Sequence, residues 1–344
     1  MAITAGLDVG GAHLKIALVE DGVPVALQQH ACALWQGIDK LDAALLAARP
    51  MLNRADRIAI TMTGELSDLF ESRLDGVSKL VEWLSLKLGE DIRFWQGLRG
   101  FGTSDCAIEH HQDVGSTNFL ATAAIVGRHR ANALLVDFGS TTTDIIAIIE
   151  GTPTSQGATD AIRQGNAELV YTGYTRTAVM GVTDKAVFKG QWVGLAREYL
   201  ATMADVRRIL GDIDPDVDLH SPADGRGKSL AESTQRLARM LGRDADEGTD
   251  ADWYVTARGI AEAQMHSIQD GLVTILSRHP SLLDGPMVVA GIGARVAGEL
   301  ARRVGLKPVT FGELIGASGK LALDATHAAP ATAVALLFDQ MNQS

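Results

Sequence analysis

The chain states one phrase twice. "AGLDVGGAHLKIALVEDG" occupies Ala5 to Gly22, and "LLVDFGSTTTDIIAIIEG" occupies Leu134 to Gly151. At a constant offset Asp137 falls on Asp8, Gly139 on Gly10, Ser140 on Gly11, Ile145 on Ile16 and Gly151 on Gly22, while Asp144 falls on Lys15. Each copy runs from an apolar segment through an Asp-x-Gly turn into a second apolar segment, the pattern of a β-hairpin. Two such hairpins far apart in one chain of 344 residues imply two similar halves. The repeat therefore predicts an α/β protein of two lobes facing each other across a cleft.

The surrounding pattern supports that plan. Ala2 to Val9 and Lys15 to Glu20 read as strands, and the Asp21-Gly22 turn leads into a third within "VEDGVPVALQQH". Gly37 to Met51 has helical spacing at Ile38, Leu41, Leu45 and Leu46, with a stop near Pro50. "RIAITMTGEL" reads as a buried strand ending in a polar turn, "GVSKLVEWLSLKLG" as an amphipathic helix, "IRFWQGL" as a strand, and Thr117 to Val126 as a helix. After the loop "GRHRAN" the hairpin begins again, which places a first lobe at 1–130 and a second at 131–344. In the second lobe "ELVYTGYTRTAVMG" reads as strands and turns, and "GLAREYLATMADVRRILG" as one long helix. "DIDPDVDLHSPADGRGKS" is a polar loop, followed by helices at Leu230 to Leu241, Asp252 to Ile275 and Ala294 to Val304. These additions form a helical insertion in the second lobe. The last apolar helix, Ala331 to Met341, is expected to cross back to the first lobe.

Charge and composition narrow the functions. A net charge of −11 argues against general nucleic-acid binding, which needs clustered Lys and Arg. No apolar run approaches the length of a membrane span, and the chain opens directly on a strand-like segment with no signal peptide. Cys32 and Cys106 form no CxxC and read as reduced thiols. A cytoplasmic protein with no nucleic-acid or membrane partner is the expectation. The oligomeric state is open, with a homodimer one option.

Either turn carboxylate alone is compatible with a side chain that only holds backbone N–H groups. Together, if the lobes face each other, Asp8 and Asp137 converge beside glycine turns whose N–H groups suit phosphate oxygens. Carboxylates beside phosphate repel it unless a divalent cation lies between them. Mg²⁺ is expected, held by Asp8 and Asp137, with a polyphosphate or diphosphate as ligand. Lys15 would meet phosphate oxygens as a point charge. Gly10, Gly11, Gly139, Ser140, Thr141 and Thr142 would form the anion cradle, beside Thr143. Thr61, Thr63 and Glu65 are read either as a third wall or as an ordinary turn. Arg176 is read as a grip on a carboxylate or diphosphate, or as the partner of a structural acid. Gly291 and Gly293 in "VAGIGARVAG" lie between strand and helix, but Val296 stands where GxGxxG needs its third glycine. "GRGKS" at Gly225 to Ser229 is rejected as a P-loop, because Pro222 occupies the first glycine position. "EHH" at Glu109 to His111 lacks metal-ligand spacing and reads as a surface turn.

The two hairpins, the "TMTGEL" connector and "VVAGIGARVAG" together resemble the sugar-kinase/heat-shock-70/actin superfamily. That resemblance implies two actin-like (ribonuclease H-like) lobes across a phosphate-binding cleft, with Gly291 and Gly293 at an adenosine segment. More closely, "GLDVGGAHLKIAL", "STNFLATAAIVG", "LLVDFGSTTTDI", "VYTGYTRTAV", "ADGRGKS" and "RLARMLGRDADE" resemble hydantoinase/oxoprolinase-related proteins of tetrahydromethanopterin-linked C1 transfer. Methanogen members of that group join an aminomethylfuran-methyl diphosphate to a phenol in methanofuran biosynthesis. The resemblance implies the same aryl-ether-forming transferase here, for methanofuran or methylofuran, with a tyramine or tyrosine derivative as phenolic acceptor. On those motifs His13 and Asn118 join the expected binding residues. Asp8, Lys15, Asp137 and Asp144 are the expected catalytic set, with Asp137, Asp144 and Glu65 as candidate bases. An ATP-dependent small-molecule kinase or hydrolase of the same superfamily is the alternative, and a nucleotide-binding scaffold without turnover is a third.

Overall fold

The computed structural model describes residues 2–157 and 159–343. Its first sheet is built from β1 (Ile3–Val9), β2 (His13–Glu20), β3 (Val23–Ala31), β4 (Arg57–Met62), β5 (Arg93–Trp95) and β6 (Phe101–Gly102). The order is β3-β2-β1-β4-β5-β6. β1 runs antiparallel to β2 and parallel to β4, so a hairpin leads into a parallel crossover. The second sheet contains β7 (Ala133–Phe138), β8 (Thr143–Ile149), β9 (Thr152–Pro153), β10 (Leu169–Val170), β13 (Pro286–Ala290) and β14 (Lys307–Thr310). Its order, β10-β8-β7-β13-β14 with β9 also on β8, repeats the first scheme. β7 is antiparallel to β8 and parallel to β13. The repeated phrase is thus the same hairpin at the same place in two actin-like halves.

Between β10 and β13 lie a small hairpin, β11 (Lys185–Phe188) and β12 (Gln191–Gly194), and helices Met203–Leu210, Leu230–Met240 and Asp250–Arg278. They close a separate core around Val206, Leu237, Trp253 and Ile260. The long helix expected over "GLAREYLATMADVRRILG" is a correction: residues 191–194 pair as a strand, and the helix starts only at Met203. Thr202 and Asp205 form a capping box that sets that start, with the Thr202 N–H donating to Asp205 at 3.0 Å. The helix expected over Gly37 to Met51 is present as Asp39–Leu52 and stops near Pro50, which lies in its last turn.

Helix Ala329–Met341 packs against β1, β2 and β4. Gly6 permits this approach, since a Cβ there would stand 2.1 Å from the Ala331 carbonyl oxygen. Buried Asp339 fixes the helix end, accepting from Thr4 Oγ1 at 3.0 Å and the Gly22 N–H at 2.9 Å. A shared core joins this helix and helix Asn118–His129 to both sheets, through Val19, Phe119, Leu135, Ile148 and Val288. Among the described residues no single helix is long and apolar enough to cross a membrane.

Candidate active site

The two turns close identically. Gly10 donates to the His13 carbonyl at 2.9 Å, and Gly139 donates to the Thr142 carbonyl at 3.0 Å. Those two N–H groups are spent on the turns. Gly11 and Ala12, and Ser140 and Thr141, donate to no acceptor among the described residues, so the remaining turn amides stand available to an anion. Register does the rest. Asp8 lies opposite Lys15 across β1 and β2, and Asp137 lies opposite Asp144 across β7 and β8. All four line one cavity of about 500 Å³, with Gly10, Gly11, His13, Thr63, Asn118, Gly139, Ser140, Thr141, Thr142 and Arg176.

Burial dominates the electrostatics here. It pushes the Asp8 carboxyl up to about 6, against the opposing pull of Lys15 and a hydrogen bond from Asn118. Burial likewise pushes Asp137 up to about 7; Lys15 opposes, while Asp144 and Asp8 add to the rise. One ammonium therefore acts on carboxylates from both lobes, yet no direct ion pair joins Lys15 to either. Asp144 is differently placed: Arg163 donates to its Oδ1 at 2.7 Å and stacks on Phe119 at 3.6 Å. Arg163 had no mark in the sequence, because it comes from the short helix Asp160–Gly165 after an irregular stretch.

Aromatic and cationic side chains adjoin the turns. Arg176 lies 4.4 Å over the Trp35 ring and donates to Thr141 Oγ1 at 3.2 Å. It makes no ion pair with an acid among the described residues, which removes the structural-acid reading. His220 meets His13 edge-on at 4.4 Å between ring centres and Trp35 at 5.9 Å. It belongs to the polar loop after helix Met203–Leu210, so the insertion reaches the first lobe. Sequence reading missed Trp35 and His220, single residues in segments without periodicity.

Five expected site residues lie elsewhere: Thr61 and Thr143, both wholly buried, with Thr143 Oγ1 donating to the Thr172 carbonyl at 2.8 Å, and Glu65, Gly291 and Gly293. Glu65 is fully buried beneath the cleft, accepting from Ser116 Oγ at 2.6 Å with Arg73 at 3.9 Å, and does not line the cavity. Gly291 and Gly293 do not line it either. They back the end of β7, where a Cβ on Gly291 would stand 2.4 Å from Asp137 Oδ1 and one on Gly293 2.5 Å from the Phe138 ring. In "GRGKS" the Gly227 and Ser229 N–H groups both donate to Glu232, capping helix Leu230–Met240.

Comparison with known proteins places this architecture. The hydantoinase/oxoprolinase family model matches residues 56–324. A curated relative from Methanocaldococcus jannaschii is 30% identical over 292 residues, covering 85% of this chain and 86% of its own. This chain belongs to the hydantoinase/oxoprolinase family. That relative is named (4-{4-[2-(gamma-L-glutamylamino)ethyl]phenoxymethyl}furan-2-yl)methanamine synthase. A protein of the same name from Methanococcus vannielii is 36% identical over 117 residues, 34% of this chain and 52% of that one. Among solved structures, an acetone carboxylase chain shares the fold at a TM-score of 0.55 and 12% identity, over 88% of this chain and 67% of that one.

The acids of this hydantoinase/oxoprolinase-family protein fit a hydrated divalent cation. Asp8 Oδ1 is buried without a hydrogen-bond partner. No group of three or more acidic, His or Cys side chains among the described residues forms a complete metal cage. One or two carboxylates completed by water and substrate phosphate is the usual mode for Mg²⁺.

Proposed function

We propose that this protein is a cytoplasmic transferase of methanofuran or methylofuran biosynthesis. It condenses an aminomethylfuran-methyl diphosphate with the phenol of a tyramine or tyrosine derivative, forming an aryl ether and releasing diphosphate. The observation that carries this reading is the cavity itself. Asp8, Lys15, Asp137 and two sets of turn amides line it together with Trp35, Tyr171 and Arg176. The length-wide similarity to a named furanmethanamine synthase supports the same reading.

The chemistry asks for little covalent work by the protein. A furanmethyl carbon whose diphosphate departs is stabilised by the ring, so the barrier lies mainly in stabilising the leaving group. Lys15 and the amides of Gly11, Ala12, Ser140 and Thr141 supply positive potential where charge collects. Asp8 and Asp137 would hold Mg²⁺, which would neutralise diphosphate charge when bound. Arg163 keeps Asp144 from adding an unpaired negative charge to that region.

The test is diphosphate release from the furanmethyl diphosphate with Mg²⁺ and without ATP. Release coupled to an ether product, and only when a phenol is present, is the expected result. ADP formation from ATP with no ether product would instead make the protein a kinase or hydrolase.

A further inference from the structure

The cavity that holds the glycine turns also carries an imidazole that the diphosphate chemistry does not use. It is the buried ring of His13, which the half-buried ring of His220 meets edge-on at 4.4 Å between ring centres. His13 is 5% exposed and lines the cavity, and its Nε2 has no hydrogen-bond partner. Nε2 of His220 is likewise buried and unpaired. Unmet buried polar atoms are uncommon in folded proteins and need a reason. Here they lie beside Trp35, whose ring carries Arg176 on one face. The arrangement is built rather than incidental, because the loop carrying His220 is anchored two residues earlier. Arg208 grips Asp218 through two bonds, 2.8 Å from Nε to Oδ2 and 2.9 Å from Nη2 to Oδ1.

We propose that this part of the cavity receives the phenolic acceptor, with its ring against Trp35 and Nε2 of His13 taking the phenol proton, while His220 backs both rings. The proposal rests on the transferase reading above and adds the group that serves as base. In the step, the phenol oxygen forms a bond to the furanmethyl carbon. The bond from that carbon to the diphosphate oxygen breaks, and its electron pair leaves with diphosphate. The phenol proton passes to His13 Nε2 and then to solvent, so atoms and charges balance.

The groups facing His13 come from three elements: Lys15 on β2, His220 on the loop, and Arg176 on the turn after β10. Burial, first, and these neighbours hold its imidazole well below the ordinary range. Burial and Arg176 push His220 down to about 4. Both rings are therefore neutral near pH 7 and keep a lone pair. Two of the groups that depress His13 are cations, and a bound diphosphate would offset them. The base thus becomes stronger once the first substrate is seated.

The test uses the full chain with Mg²⁺, the furanmethyl diphosphate and ring-fluorinated tyramines of graded phenol acidity. For His13→Gln the rate with unsubstituted tyramine should fall by about 10²- to 10⁴-fold. Much of that loss should be regained with the most acidic phenol, whose proton needs no base, while affinity for the furanmethyl diphosphate stays within about twofold. A wild-type rate in the variant, or an equal loss with every phenol, would overturn the assignment. A measurement that needs no variant is the ¹⁵N spectrum of the histidine rings. Saturating tyramine should shift the signals of His13 and His220, and unmoved signals would overturn the site. If the wild type releases no diphosphate with any phenol, the transferase reading fails and takes this one with it. That outcome is distinct from an active wild type indifferent to His13.

Discussion

Asp137 sits where its own charge is costly. Its carboxyl is raised to about 7 in the folded protein, chiefly by burial, against about 3.9 in an unfolded chain. The folded state therefore binds more protons between those values, so the stability contributed by this group is complete below pH 4 and lost as pH rises through 7. Asp8, raised to about 6, behaves the same way over a narrower window. Asp137→Asn should stabilise the ligand-free protein at pH 8 by about 1–3 kcal/mol while abolishing diphosphate release. Calorimetry at pH 5 and pH 8 checks this, and a variant less stable than wild type at pH 8 would contradict it. Because protons compete with the cation for these carboxylates, Mg²⁺ affinity should rise between pH 6 and pH 8 by isothermal titration. A flat or falling affinity would argue that they do not hold the cation. Lys15→Ala should remain folded and lose at least about tenfold in turnover, the minimum for removing one charge-assisted contact to the leaving group. Asp8, Lys15 and Asp137 were legible because each ends or opens an apolar strand at a repeated spacing. Arg163, Trp35 and His220 were not, since loops carry no period and only the packed chain brings them to the cavity.

Elements set these positions through close backbone contacts. Gly6→Ala should lower stability in urea unfolding by about 1–3 kcal/mol, because a methyl group meets the backbone of helix Ala329–Met341. An unchanged midpoint would mean that the helix gives way freely. Gly291 has φ +79 and backs Asp137, which explains a glycine there without any nucleotide. The anchor of the His220 loop makes a further expectation. Arg208→Lys removes the bidentate grip on Asp218 and should raise KM for the phenol more than KM for the diphosphate. Equal effects on both would show that the loop serves stability alone. At this scale the sequence was most readable where period and caps coincide, as in β1, β2, β7, β8 and helix Asp250–Arg278. It misled at residues 194–202, where an apolar spacing suggested helix but pairing of β11 with β12 and the Thr202 cap prevailed.

The whole molecule is a duplicated plan made unequal. Both halves place an acid at the end of the first strand and a glycine turn beyond it. The first half then offers Lys15, and the second offers hydroxyls and an acid held by Arg163. The insertion adds His220, whose ring reaches across to His13 and Trp35 of the first half. Two lobes across a cleft could be read from the repeat alone, because register makes equivalent phrases occupy equivalent places. The reaction could not, since the same cradle suits any phosphate ester and its choice rested on resemblance. The central claim is that carbon, not phosphorus, is transferred. Furanmethyl diphosphate carrying ¹⁸O at the bridging position, turned over with a phenol and Mg²⁺, tests it directly by mass spectrometry. The account predicts that all label leaves in diphosphate and none stays with the furan product, and label retained on a furanmethanol would contradict it.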